Sequence, residues 1–579
     1  MKLNIKNRRR RWQKTFSRTL LFFALFSVVS WLHSITWHIN QDGTGNFTTI
    51  QEGIVAATNN DTILVYPGTY YENIDYLEKS LTVASLYIIT PEDSLINQTI
   101  IDGNQQARCV KIDDCENASI NGFTIQNGCA LQDVANGYEG GGIFIEDVTN
   151  AIISNCKIKN NKALDSGGLH INHSNTILAG NIISNNRGIR YAGGLGLTGN
   201  DTTLNFSEIQ LNSIFLNYAA TGSDIYIGYN IPDIVSIIAD TLTVNVPEFF
   251  FIAPSQQCTI SNLNAKIEQI NQDLYIAPDG DDGNTGLTAD NPLQTLAWAQ
   301  TLIKRNDENP NTIHLTSGIY SSSLNNQIYP LNVKHGVCFS GISPEETILD
   351  AEDESPFFYQ SNRYQNEFAK LIMENLKMIN GAQVGSSTNG GIKIYQADIN
   401  LTNVIIEDCN GNNGSAILTQ NGYCYLEDVI IKNNTGGHGI FNTIEYNCPN
   451  PILDVTMINT KVEHNYPGGD YSGGGIIISG HSNIPGDYNA RLINCEIIEN
   501  YNNYYYAGLG GPSGLGVIYM DLVDVVNCTF GDNTVISDAG CTISTRKSEL
   551  NLFNSIVYNN EGNSLNLLED AVVNITNSL

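Results

Sequence analysis

Few residues in this chain have the types and spacing to do chemistry. Asp279, Asp281, Asp282 and Asn284 fall in one short glycine-containing loop. Oxygen-rich loops of this kind hold Ca²⁺, so these four are the candidate metal ligands. The loop lacks EF-hand spacing and a distal Glu, and acidic glycine loops are also common solvated turns. Tyr501, Tyr504, Tyr505 and Tyr506 crowd a second loop between Asn500 and Gly508. A phenol joins an apolar face to a polar tip, which suits stacking on neutral sugars. The plainer alternative is a loop packed on its own framework. His438 lies between Gly437 and Gly439. Glycosidic hydrolysis needs two carboxylates, one to protonate the leaving oxygen and one to activate water, and no Asp pair shortly precedes that histidine. It reads as an incidental residue at a glycine corner. No Cys-x-x-Cys pair occurs, which argues against a zinc site. No residue is assigned a catalytic or cofactor-binding role, and Ca²⁺ is the one ion considered.

The elements that would position these residues follow from size and composition. The chain has 579 residues, 41% hydrophobic and 15% charged, with 52 Gly and 16 Pro. That is longer than one core usually organises and too apolar for disorder. The formal charge is 29 − 59 = −30, and eight Lys or Arg lie in the first 34 residues, leaving 21 − 59 = −38 beyond them. Such a surface repels nucleic acid and anionic lipid. No apolar run is long enough for a membrane span. Arg8 to Arg11, Lys14 and Arg18 precede the apolar stretch Thr19 to Leu32, so residues 1–34 are expected to be an export signal cleaved near Ser34. The alternative is an uncleaved membrane anchor. Either way the bulk of the chain is expected outside the cytoplasm, secreted or at the cell surface.

A repeat runs through most of the remainder. It reads Asn155-Cys156-Lys157-Ile158-Lys159-Asn160-Asn161 and returns with heads at Asn403, Asn459, Asn494, Asn527 and Asn554. Looser copies start at Asn121, Gly180, Asn205, Asn375 and Asp428, and within each block the heads lie 23 to 35 residues apart. Strict apolar alternation over three to five residues predicts short strands. Asn and Gly tolerate the left-handed backbone of tight corners, and Asn at one corner of successive turns can bond to its own copies as a ladder. A short strand cannot bury its apolar face alone, whereas stacked turns bury it continuously. The Leu-x-x-Leu-x-Leu frame of leucine-rich repeats is absent, and the spacing suits three short strands better than a propeller blade. The fold class expected is all-β, a right-handed parallel β-helix solenoid, its hand inferred from the preference for right-handed crossovers. Cys156, Cys495 and Cys528 then share an inward slot with Leu376, Val404, Val429, Thr460 and Ser555, where Cys acts as a small hydrophobe. Cys495 and Cys528 are placed on adjacent turns, where the spacing also allows a bridge between them in place of two buried thiols.

The programme begins twice. A strand at Trp37 to Ile39 leads through a loop into a short helix, with Thr49 and Glu52 as a capping-box pair. A second strand at Leu274 to Ile276 leads to a helix near Leu293 to Ile303. Each helix would cover an open end of stacked strands. The expected division is a first unit over 35–242, a connector over 243–272 and a second unit over 273–579. The pattern opens again at Asn577 and stops at Leu579, which fits a fragment or a last turn that pairs elsewhere.

The segment from Asp42-Gly43-Thr44-Gly45-Asn46-Phe47 through Thr49-Ile50-Gln51-Glu52 to Gly68-Thr69-Tyr70-Tyr71-Glu72-Asn73 resembles the start of pectin methylesterases, of the pectin-lyase-like β-helix superfamily. The second opening is similar to the edges of secreted β-helix proteins of unknown function and of some polysaccharide lyases. The esterase resemblance implies a Gln-Asp pair, an Asp before Phe-Ile-Phe-Gly and a Gly-Arg-Pro-Trp segment, and none is present. Gly68, Tyr70 and Glu72 are therefore expected only to build the first turn. Gly437-His438-Gly439 matches part of the polygalacturonase pattern, without its Asp pair or Arg-Ile-Lys. Lyases acting on uronates need a basic residue in a groove, and no Arg or Lys cluster marks one. The expected function is a non-enzymatic, exported surface protein acting in adhesion, structure or glycan binding. Its partner would be a neutral glycan or another surface protein. The alternative is a polysaccharide-acting enzyme, a lyase, esterase or glycosidase.

Overall fold

Ile143-Phe144-Ile145-Glu146 shows how the alternation works. Ile143 and Ile145 point inward and are fully buried, while Glu146 faces out. The chain turns and adds Asn150–Ser154, then Lys157–Lys159, each again burying alternate residues. Ile143 then pairs in parallel register with Val110 of the preceding turn and Leu169 of the following one. The computed structural model describes residues 34–131, 137–360, 368–384, 390–411, 415–444, 451–466, 474–502, 512–535 and 540–579. Over these the protein is all-β, built of parallel strands in stacked sheets with a few short helices. Strands up to Ala265 form sheets of seven, seven, eight and three; those from Leu274 onward join a 24-stranded sheet, apart from Tyr501–Asn502 and Thr534–Val535, which pair with each other. One buried apolar cluster runs from Ile39 to Ile252 and takes in Ala297, another runs from Leu274 to Leu552. Within 243–272, the strand Cys258–Ala265 pairs with Val235–Leu242 and extends the first set. Among the described residues no helix is long and apolar enough to cross a membrane.

The repeat heads are the corners. Asn375, Asn403, Asp428, Asn459, Asn494, Asn527 and Asn554 all have φ between +49° and +57°. Their side chains form an exposed ladder, as where Asn494 donates to Asn459 at 3.2 Å and Asn527 to Asn494 at 3.1 Å. Two loose heads shift. In the Asn121 copy the left-handed residue is Gly122, and Asn205 lies inside the strand Thr203–Phe206. There the turn is made by Ser207, whose hydroxyl accepts the amides of Ile209 and Gln210. A second ladder is buried. Asn434, Asn465, Asn500 and Asn533 each pass a side-chain amide N–H to the carbonyl oxygen of the next, the last to Asn560, at 2.9 to 3.2 Å. The first set has its counterpart in Asn161, Asn186 and Asn217.

Cys156, Cys495 and Cys528 are buried in the inward slot with Val404, Leu376, Val429, Thr460 and Ser555. The described cysteines are free thiols, and the Cys495 amide donates to Cys528 Sγ at 3.4 Å on the adjoining turn.

Both expected helices are present, at Ile50–Ala56 and Leu296–Leu302. Thr49 Oγ1 accepts the Glu52 amide at 3.3 Å, but the carboxylate at this helix start comes from Glu72, which accepts the amides of Ile50 and Gln51 at 2.9 Å. Tyr70 is buried and donates to the Tyr66 carbonyl at 2.9 Å, and a Cβ on Gly68 would lie 2.6 Å from Gln41 Oε1. The three residues shared with the esterase signature thus all have structural work.

Candidate functional site

The strands Leu169–Asn172, Leu195–Thr198 and Ile225–Ile227 continue the stack from Ile143–Glu146. Their register aligns Phe144, His170, Gly196 and Tyr226 in one outward column. The strands just before them, Lys162–Asp165 and Arg187–Tyr191, place Lys162 beside Arg187 and Asp165 beside Tyr191. Arg108 lies over the Phe144 ring at 4.3 Å, and Phe144 stacks on His170 at 5.8 Å. Tyr191 meets Tyr226 at 4.5 Å, and its hydroxyl is 2.9 Å from that of Tyr359. The sequence does not show that Lys162 and Arg187 are neighbours, because they lie one turn apart; the register sets them side by side, with Arg190 on the same strand as Arg187.

The electrostatics of this face are tightly held. Arg190 donates to both Asp165 oxygens, at 2.9 and 2.6 Å. Burial raises the Asp165 carboxyl above its usual range, and Arg190 opposes that rise. The bidentate geometry keeps the pair ionised at neutral pH. His170 is buried, with Nδ1 2.8 Å from Ser166 Oγ and Nε2 3.0 Å from Thr198 Oγ1. Thr198 spends its own proton on Asn172 Oδ1 at 2.9 Å. It must therefore accept from His170, which fixes the proton on Nε2 and makes Ser166 the donor to Nδ1. Asn172 in turn donates to Glu146 at 2.7 Å.

A serine hydroxyl donating to an imidazole is the geometry of an activated nucleophile. Here it is not poised for that task. Burial, and after it the charge of Arg108, push His170 down to about 3. Such a base cannot take the serine proton at neutral pH. Ser166 is itself buried at 1% exposure, and Nε2 faces a hydroxyl where a triad would place a carboxylate. A Cβ on Gly196 would collide with Ser166 Oγ, so that glycine makes room for the bond. The network holds the face in shape and leaves the half-buried Tyr191, Tyr226 and Arg190 toward solvent.

The residues singled out by sequence lie elsewhere. Asp282 accepts the amides of Gln294 and Thr295 at 3.0 and 2.8 Å and the Thr295 hydroxyl at 2.7 Å, which holds Thr295, the residue that caps the second helix through the Trp298 amide. Asp281 accepts the Gly283 amide at 2.8 Å, and Asn284 donates to the Pro292 carbonyl at 2.8 Å. Asp279 stands in the same loop. Their polar atoms thus serve the loop and the helix start. Tyr501 is half-buried, its ring 6.0 Å from Tyr466. Tyr504, Tyr505 and Tyr506 lie outside the described residues. His438 is buried, its ring 5.4 Å from Phe441.

Among the described residues, Glu463, His464 and Glu499 bring ligand-capable atoms within 4.8 Å of one another. Sequence reasoning missed this group because Glu499 belongs to the next turn. No protein-family model matches the chain, and no curated protein matches it either.

Proposed function

We propose that the protein is an exported, cell-surface right-handed parallel β-helix of the pectin-lyase-like kind, in two tandem units, and that it binds neutral glycan without turning it over. The observation that carries this reading is the Tyr191–Tyr226 pair at 4.5 Å, flanked by the Arg190–Asp165 ion pair. Aromatic faces beside fixed donors and acceptors are what a sugar ring uses, the apolar face stacking while its hydroxyls bond at the edge. The buried, neutral His170 and the paired Asp165 support binding over turnover, since neither is free to move a proton. The charge of −38 beyond the leader supports a neutral ligand and disfavours nucleic acid.

The test is a glycan array followed by calorimetry on the best ligand, with reducing-sugar and unsaturated-uronate release measured on the same protein. Tyr226→Ala should weaken binding about tenfold, the loss of roughly 1–1.5 kcal/mol of stacking. Release of product that disappears in Asp165→Asn would establish the enzyme reading in its place.

A further inference from the structure

Behind the corner that carries His464 lies the buried asparagine ladder. Asn465 donates to Asn500 Oδ1 at 2.9 Å, and the Asn465 amide reaches the same oxygen at 3.2 Å. The strands Lys461–Glu463 and Glu496–Ile498 pair in register, with Glu463 opposite Ile498. His464 and Glu499 therefore follow at equivalent corners, with φ of +51° and +54°. Three side chains thus hang from rigid, doubly bonded backbone.

His464 Nε2 is 2.5 Å from Glu499 Oε2, and Nδ1 is 3.8 Å from Glu463 Oε2. Both ring nitrogens face carboxylates, yet a neutral imidazole has one nitrogen with a lone pair and no proton. That nitrogen is repelled by its neighbour unless a proton or a metal lies between them. The side chains of His464 and Glu499 are 42% and 44% exposed, so the position is open to solvent ions and to completing waters. We propose that Glu463, His464 and Glu499 form a surface site for a divalent transition cation such as Zn²⁺. One imidazole nitrogen with two carboxylate oxygens matches the ligand set Zn²⁺ takes when water completes its shell. Ca²⁺ and Mg²⁺ prefer oxygen alone.

Lys461 is the resident competitor. Its ammonium is 2.8 Å from Glu463 Oε2 but also 3.8 Å from Glu496 Oε2. When the metal takes Glu463, Lys461 has a second carboxylate to turn to.

The test uses the tag-free exported chain, calorimetry with Zn²⁺, and the visible d–d spectrum with Co²⁺. His464→Asn is the informative variant, because Asn already fills this corner at Asn433 and Asn559 and its left-handed backbone is tolerated. The wild type should bind Zn²⁺ in the presence of excess Mg²⁺, His464→Asn should bind at least about tenfold more weakly, and Lys461→Gln should bind more tightly. The proposal is overturned if the wild type takes up no Zn²⁺. Equal binding by His464→Asn would overturn it too, marking mere attraction to acidic surface. So would sulfur-to-Co²⁺ charge-transfer bands, which would place the ion on thiols.

Discussion

Replacing Asn465 with alanine isolates what the buried ladder contributes. Its side-chain amide donates to the carbonyls of Ile431 and Glu463 at 3.1 and 3.0 Å and to Asn500 Oδ1 at 2.9 Å. Its oxygen accepts the Asn434 backbone amide at 3.1 Å and the Asn434 side-chain amide at 3.0 Å. Alanine removes all these bonds and strands buried partners on both neighbouring turns. With a net value near 1 kcal/mol per bond and further cost for buried orphans, the loss is about 4–6 kcal/mol. The control is Asn459→Gly at the exposed ladder, where the bonds lie in solvent and glycine keeps the left-handed corner; its cost should stay under about 1 kcal/mol. Urea unfolding followed by far-UV circular dichroism reads the difference. At a slope of about 2–3 kcal/mol per molar, Asn465→Ala should lower the midpoint by roughly 2 M. Because stacked turns couple mainly to neighbours, hydrogen exchange should quicken first at Asn434 and Asn500. Equal midpoint shifts in the two variants would refute the claim that burial makes the inner ladder structural.

Lys334 is fully buried, donates to the Gln300 carbonyl at 2.6 Å and lies 4.7 Å from the Phe250 ring centroid, and burial outweighs nearby Glu248 in pulling its amine from 10.5 down to about 8. The unfolded chain holds more protons between those values, so this group's contribution to stability rises with pH from about 8 to 10.5 and is at its least favourable below, by about 3 kcal/mol. The stability difference between wild type and Lys334→Met should move toward wild type across that window, and a flat difference would contradict the burial argument. Asp282→Ala should cost about 1–2 kcal/mol in thermal unfolding by releasing the Gln294 and Thr295 amides and the hydroxyl of the capping Thr295, while excess Ca²⁺ should leave the wild-type midpoint unchanged. A rise with Ca²⁺ would establish the loop of Asp279, Asp281, Asp282 and Asn284 as an ion site.

What the sequence made legible is local. Inward and outward alternation at Ile143 to Glu146, the left-handed corners from Asn375 to Asn554, and the thiol slot of Cys495 and Cys528 each depend on neighbours two or three residues away. Such patterns carry their physics with them. The Glu72 cap of the first helix was harder, because the carboxylate arrives from beyond the next strand. The face of Phe144, His170 and Tyr226 was illegible for a related reason. Contact between turns depends on the number of residues each turn consumes, and loops change that number from turn to turn. Lys162 and Arg187 become neighbours only through their register, as do His464 and Glu499 through theirs.

Stacking at one fixed spacing also makes charge a column property. Where Lys377, Glu407 and Lys432 follow one another, the carboxylate lies 3.2 Å from one amine and 2.8 Å from the other. Each such pair adds little on a solvated surface, yet the alternation keeps like charges from facing across about 4.8 Å. Like charges do meet in register elsewhere, Asp113 with Glu146 and Lys162 with Arg187. Lys162 and Arg187 lie side by side on adjacent turns, and the Glu354 carboxylate acts favourably on both. Burial, and then the charge of Arg187, hold the Lys162 amine below its usual range. The chain has far more acids than bases to choose from, so placing two cations together is not a default of composition.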